Sequence, residues 1–319
     1  MGAKNYLGKF FRFFKPAFLP NNIHFRKPDL ERLENREVMN RATWISTADG
    51  DWNTATNWDI RDANNNTVSG VPTIADDVII DLASNSPVIS ISAGAVAKTI
   101  LSTEKISISG NGASLQIANA STIAGNIEIK NGGTLQTDSQ LTLAGTVDWI
   151  SGTLTDTGSS SITITGTTNL TGNGTILNTT LINQGTLNIS GSAALTLTTA
   201  ILANDNPGTV DIQNDVSITA TGSTLENKGL LKKSAGANTT TLPAGLNLDN
   251  TGSVEVYSGT LKVNSTSQLS TDVNSIKTLT AGKWKVQGGT LELAPVNTLR
   301  INNAEITFGI GGSITGFET

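Results

Sequence analysis

The sequence predicts an all-β fold, a right-handed parallel β-helix (β-solenoid), and three observations lead there. Short apolar–polar alternations recur from about residue 82 onward, Gly-, Asn- and Ser-rich turns separate them, and the tripeptide Gly-Thr-Leu returns five times. Alternation at every second position puts one face of a strand inward and the other outward. Examples are Ile106-Ser107-Ile108, Leu115-Gln116-Ile117, Ile127-Glu128-Ile129, Leu187-Asn188-Ile189 and Val254-Glu255-Val256. Beyond residue 41 no segment carries a helical stripe.

Composition selects a solenoid over a sandwich. Aromatic residues make up 5% of the 319-residue chain and charged residues 15%, while Gly alone contributes 32. Few rings are available to fill a wide core, and a sandwich would call for longer strands and more aromatic filling. A narrow aliphatic core, wound in coils of two or three short strands, suits this composition. Gly-Thr-Leu stands at 133–135, 152–154, 185–187, 259–261 and 289–291, with Gly-Leu-Leu at 229–231 and Gly-Ser-Val at 252–254 in the same slot. The gaps run from 7 to 44 residues, so the period reads as loose. Stacked coils are expected to align Thr with Thr and Asn with Asn in ladders.

The chain divides near residue 41. Up to that point nine basic residues face four acidic ones; the remainder holds 12 basic and 22 acidic, a net charge of −10. Six of the eight Phe and the single histidine, His24, fall in the same N-terminal piece. Pro16, Pro20 and Pro28 interrupt it, and no apolar run leads to a small-residue cleavage site, so it is not an ordinary signal peptide. Interleaved Phe and Lys/Arg in residues 1–20 suit either a membrane-surface segment or a basic tail. The expected organisation is a basic, aromatic segment over 1–41, a Trp-rich cap and first strand over 42–81, and the solenoid over 82–319.

Residues 30–39, LERLENREVM, carry Leu30, Glu31, Leu33, Glu34, Arg36, Val38 and Met39 in an order that resembles the LEPR-XLL motif of large planctomycete-type exported proteins. The resemblance implies an export or sorting tag ahead of an extracellular region. On its own residues the segment would make a short charged helix.

Trp44, Trp52 and Trp58 crowd into residues 43–81, ahead of Val-Pro and Asp76-Asp77-Val78-Ile79-Ile80. This stretch resembles the opening module of autotransporter-like and haemagglutinin-like β-solenoid proteins of bacteria. The first coil of a solenoid leaves an apolar end and free backbone edges, which large rings can seal. A carbohydrate-stacking platform is the functional alternative for the same three rings. Val78, Ile79 and Ile80 are read as starting the first buried strand. Residues 226–263 and 278–316 are similar to repeats of the same surface proteins, and the pectin-lyase-like β-helix is the architecture implied. Similar proteins often run on beyond the point matching Thr319.

Several chemistries lack their residues. There is no cysteine, and His24 is the only histidine, so the solenoid has no thiol nucleophile, no Ser-His-Asp set and no His-ligated zinc. Between Lys130 and Lys228 there is no Lys or Arg. A net charge of −5 speaks against nucleic acid as a partner. Asp76, Asp77 and Asp81 form the nearest carboxylate group; Asp77 and Asp81 share a face with Ile79 between them, and Asp76-Asp77 read as turn residues entering the first strand, with catalysis or calcium as the alternative. No Gly-Gly-x-Gly-x-Asp nonapeptide occurs. Lys232-Lys233 reads as a solvated face, and Thr-x-Thr stretches such as Thr196-Leu197-Thr198 are too irregularly spaced for an ice-binding surface.

Together these observations predict a non-enzymatic, exported, adhesin-like surface solenoid with no cofactor. Its expected partners are matrix, glycans or neighbouring cells, and it has no transmembrane span. A polysaccharide-binding or polysaccharide-degrading protein on the same scaffold is the alternative.

Overall fold

A computed structural model describes residues 40–158, 160–294 and 299–317. The motif residues Leu30 to Met39 and the Phe-rich segment lie outside the described residues. The compact unit that holds the described residues runs from Val38 to Thr319. It is a β-solenoid of about 11 turns.

One coil shows the plan. Leu141–Leu143 forms the first face; Val147–Asp156 then bends between Trp149 and Ser151, giving the second and third faces in a single strand. The next coil repeats this with Ser161–Ile164 and Thr167–Leu177. Each strand pairs in parallel with the equivalent strand one turn on, as Leu141 with Ile162 and Leu154 with Ile176. Inward positions hold Ile, Leu and Val, and the 3.3 Å-class rise of a strand makes every second side chain one of them. Among the core residues, Ile106, Ile129, Leu135, Leu154, Leu170 and Ile176 are completely buried.

The period is regular, which the sequence reading did not anticipate. From Val78 to Asp249 the in-register partners on the first face are 19 to 23 residues apart. Gly-Thr-Leu obscured this because it changes face. Residues 133–135 and 152–154 stack on the third face, Thr186-Leu187 pairs with Thr209-Val210 on the second, and Thr260-Leu261 returns to the third beneath Thr290-Leu291. A late coil is also enlarged. Val254 pairs with Trp284, 30 residues on, because an antiparallel hairpin of Leu269–Thr271 and Lys277–Leu279 is inserted.

Two columns fix the corner between the first and second faces. Gly125, Gly145, Gly166 and Gly185 stack there. A Cβ on Gly145, Gly166 or Gly185 would stand 2.3, 2.2 or 1.9 Å from the carbonyl oxygen of the glycine below, so close backbone approach dictates the residue. Beside it, Asn183, Asn204, Asn227 and Asn250 are fully buried. Each of the first three donates its amide Nδ2–H to Oδ1 of the next, at 2.8, 2.7 and 2.8 Å. The second N–H of these amides goes to the carbonyls of Thr209, Leu230 and Ser253 at 2.9 to 3.0 Å. A buried amide is tolerable only when paired in this way, and the stacked Asn-x-Gly segments at 183–185, 227–229 and 250–252 are the expected asparagine ladder.

Trp44, Trp52 and Trp58 are buried at the N-terminal end. The Trp58 ring stands edge-on to both others, with centroids 5.0 Å from Trp44 and 4.9 Å from Trp52, a favourable aromatic geometry. The Trp58 indole N–H donates to the Trp52 carbonyl at 2.7 Å, and the Trp52 backbone N–H donates to Ser90 O at 2.8 Å. The rings therefore sit against the second-face strand Val88–Ile91. The first described strand, Asn40–Trp44, pairs with Asp76–Ile80 in parallel and with Trp58–Arg61 antiparallel. Ile79 points outward, since strand alternation leaves Val78 and Ile80 as the buried pair. The described helical structure is one short 3₁₀ turn, Ala55–Asn57.

Candidate functional surface

Lys233 departs most from expectation. Ile189, Ile212, Lys233, Val256 and Val286 occupy one inward column, so the lysine stem replaces an aliphatic side chain in the core. Its exposure is 0%. The ammonium is satisfied by three acceptors: Ala235 O at 2.9 Å, Asp215 Oδ1 at 3.0 Å and Asn214 O at 3.3 Å. Strand parity explains the correction: consecutive residues cannot both face water, and Lys232 takes the outward position, 3.1 Å from Asp211.

Asp76, Asp77 and Asp81 do not converge. Asp76 points inward, and its Oδ2 accepts the Thr73 backbone N–H at 2.7 Å and its hydroxyl at 2.6 Å. Asp77 and Asp81 point outward, and each accepts a hydroxyl from the coil above, Thr99 at 2.6 Å and Thr103 at 3.0 Å. Asp77 lines a shallow trough on the first face with Thr99, Leu101, Thr122 and Thr142. A smaller notch of about 220 Å³ at a corner contains one carboxylate, Asp156, with Ser160, Asn178, Thr179 and Thr180. Hydrolysis of a glycosidic bond uses two carboxyl groups; neither depression supplies the second among its described residues. The same residues contain no cluster of three metal-ligating side chains.

What the coils do assemble is a polar flank on the second and third faces. On the third face Ser114, Thr134, Thr153, Thr175, Thr196 and Thr219 stand directly above one another. Beside them run Gln116, Gln136, Thr155, Leu177, Thr198 and Thr221. The threonine rows are thus registered where the linear spacing looked irregular. Only the first row is unbroken, because Leu177 and two glutamines interrupt the second, so no continuous Thr-x-Thr lattice forms. Hydroxyls pair along the row where they meet, as Thr196 and Thr219 do at 3.0 Å.

The second face carries Glu128, Asp148, Asn169, Asn188, Asp211 and Lys232 in one outward column. Its amides link in sequence: Asn169 Nδ2 donates to Asp148 at 3.3 Å and Asn188 Nδ2 to Asn169 at 3.1 Å. Hydrogen bonding from Lys130, then from Ser107 and Lys105, outweighs desolvation and lowers the Glu128 carboxyl to about 2. Its charge is therefore held within the ladder.

A scan against family models, a search of curated proteins and a search of solved structures find no match for this chain. The class is set by the fold: a parallel β-solenoid with a buried asparagine ladder. No helix among the described residues is long and apolar enough to cross a membrane.

Proposed function

We propose that this chain is an exported, adhesin-like structural protein without catalytic activity, whose hydroxyl- and amide-lined flank contacts matrix, glycans or neighbouring cells. The observation that carries the reading is the registered Ser114-to-Thr219 row beside the Glu128-to-Lys232 column. Such a surface offers many weak, repeated polar contacts along a rigid rod, which suits multivalent attachment. The LEPR-XLL-like residues Leu30 to Met39 supply the argument for export.

The test exposes the full chain to a glycan array and a panel of polysaccharides, with and without calcium. Binding without released product, weakened in Thr134→Lys/Thr175→Lys/Thr219→Lys, supports the reading. Product release abolished by Asp77→Asn, Asp81→Asn or Asp156→Asn overturns it in favour of a polysaccharide-degrading enzyme. Retention of the chain inside cells that produce it overturns the export assignment.

A further inference from the structure

We propose that Lys233 and Asn238 join through an intramolecular amide bond, with Asp215 as the proton-transferring group. The arrangement brings an amine and a carboxamide onto one carboxylate. Lys233 is a fully buried primary amine held by core packing. Asp215 places one oxygen against the amine, Oδ1 to Nζ at 3.0 Å, and the other against the leaving group, with Asn238 Nδ2 donating to Oδ2 at 2.8 Å. The Asn238 backbone N–H also donates to Asp215 Oδ1 at 3.0 Å, so Asn238 is held through both its backbone and its amide nitrogen. One carboxylate thus bridges the nucleophile and the amide it would attack. Hydrogen bonding from Lys233, then from Asn238, keeps the Asp215 carboxyl below its ordinary range, so it holds both groups as a carboxylate.

The step balances without an outside reactant. Asp215 takes one proton from the Lys233 ammonium, and the freed Nζ lone pair adds to the Asn238 carbonyl carbon Cγ. The tetrahedral adduct collapses as the Cγ–Nδ2 bond breaks, and Asp215 returns its proton to the departing nitrogen. The remaining Nζ proton in excess leaves with it, so an ammonium and a carboxamide become a secondary amide and an ammonium ion. No oxidant, metal or cofactor takes part.

The location gives the bond a structural use. Asp215 leads into Ser217–Thr221, and Asn238 leads into Thr239–Leu242 one turn later. Ser217–Thr221 pairs with the strand below it and Thr239–Leu242 with the strand above, in different sheets. The Lys233–Asp215–Asn238 cluster bridges the corner where the third-face ladder is interrupted. An amide bond there would keep the corner closed in a rod under tension.

The experiment is intact-mass spectrometry of the purified, unfolded full chain, followed by fragmentation of proteolytic peptides. A mass one ammonia below the sequence mass, with fragments linking Lys233 to Asn238, is the expected result. Asn238→Ala, an exposed position that keeps the fold, restores the sequence mass, and Asp215→Ala leaves the linkage unformed. Asn238→Asp forms the same bond with loss of water instead. A folded chain at the full sequence mass overturns the proposal. So does an ammonia loss that persists in Asn238→Ala, which would place it at an Asn-Gly succinimide.

Discussion

Replacing Asn227 with alanine removes the centre of the buried ladder. Asn227 donates to Asn250 Oδ1 at 2.8 Å and to Ser253 O at 2.9 Å, and accepts from Asn204 Nδ2 at 2.7 Å. Three hydrogen bonds are lost in a site with no exposure. At roughly 1 kcal/mol net per bond, the expected loss is about 3 kcal/mol. Asn183 provides the internal comparison. It donates at 2.8 and 2.9 Å, but its Oδ1 has no partner, because Ile164 lies beneath it in the column. Asn183→Ala therefore costs about 2 kcal/mol, less than the central position. Urea unfolding followed by circular dichroism reads the midpoint shift, with amide hydrogen exchange to localise it, since stacked coils can melt in segments. Equal losses at the two positions, or a larger loss at Asn183, would refute the ladder argument.

Other perturbations have equally definite outcomes. Gly166→Ala forces a Cβ to within 2.2 Å of Gly145 O and is expected to lower the thermal midpoint sharply or abolish soluble expression, whereas Gly158→Ala, with open space around it, stays within about 0.5 kcal/mol of wild type. Trp58→Phe loses the buried indole bond to Trp52 O and costs more than Trp52→Phe, whose indole nitrogen has no partner; each difference is read as a shift in unfolding midpoint of about 1 kcal/mol. The lowered Glu128 pKa gives a pH signature. Because the folded value, about 2, lies below the ordinary 4.5, its stabilisation is complete above pH 4.5 and fades as pH falls through 2. Screening at the partly exposed lysines limits it to about 1 kcal/mol, so the stability gap between wild type and Glu128→Gln is flat at neutral pH and closes in acid.

Strand parity explains what the sequence disclosed. Alternations such as Ile127-Glu128-Ile129 locate strands and their inward faces because period two is set by the pleat alone. Asparagine ladders were expected of stacked coils, but that the Asn-x-Gly segments at 227–229 and 250–252 bury theirs follows only from the register. The regular period was hidden for a geometric reason: Gly-Thr-Leu suits either corner of the coil, so the motif moves from the third face to the second at 185–187 and back again. Lys233 was misread because a doublet of lysines looks solvated until one of them is assigned to the inward parity. Its acceptors, Asn214 O, Asp215 and Ala235 O, come partly from the preceding coil, a relation no local pattern expresses. The polar flank was illegible in the same way, because its rows exist only once neighbouring coils are placed in register.

That register is the claim on which the rest depends, and the absence of native cysteine makes it directly measurable. Thr175 and Thr196 face outward on adjacent parallel strands, about 4.8 Å apart in the ladder direction, within reach of a short thiol-bridging reagent. Full-length Thr175→Cys/Thr196→Cys is predicted to cross-link internally and quickly. Thr175→Cys/Leu195→Cys, slipped by one residue, places the second thiol in the core and is predicted to remain uncross-linked. Cross-linking of the slipped pair in place of the registered one would contradict both the solenoid stacking and the surface built upon it.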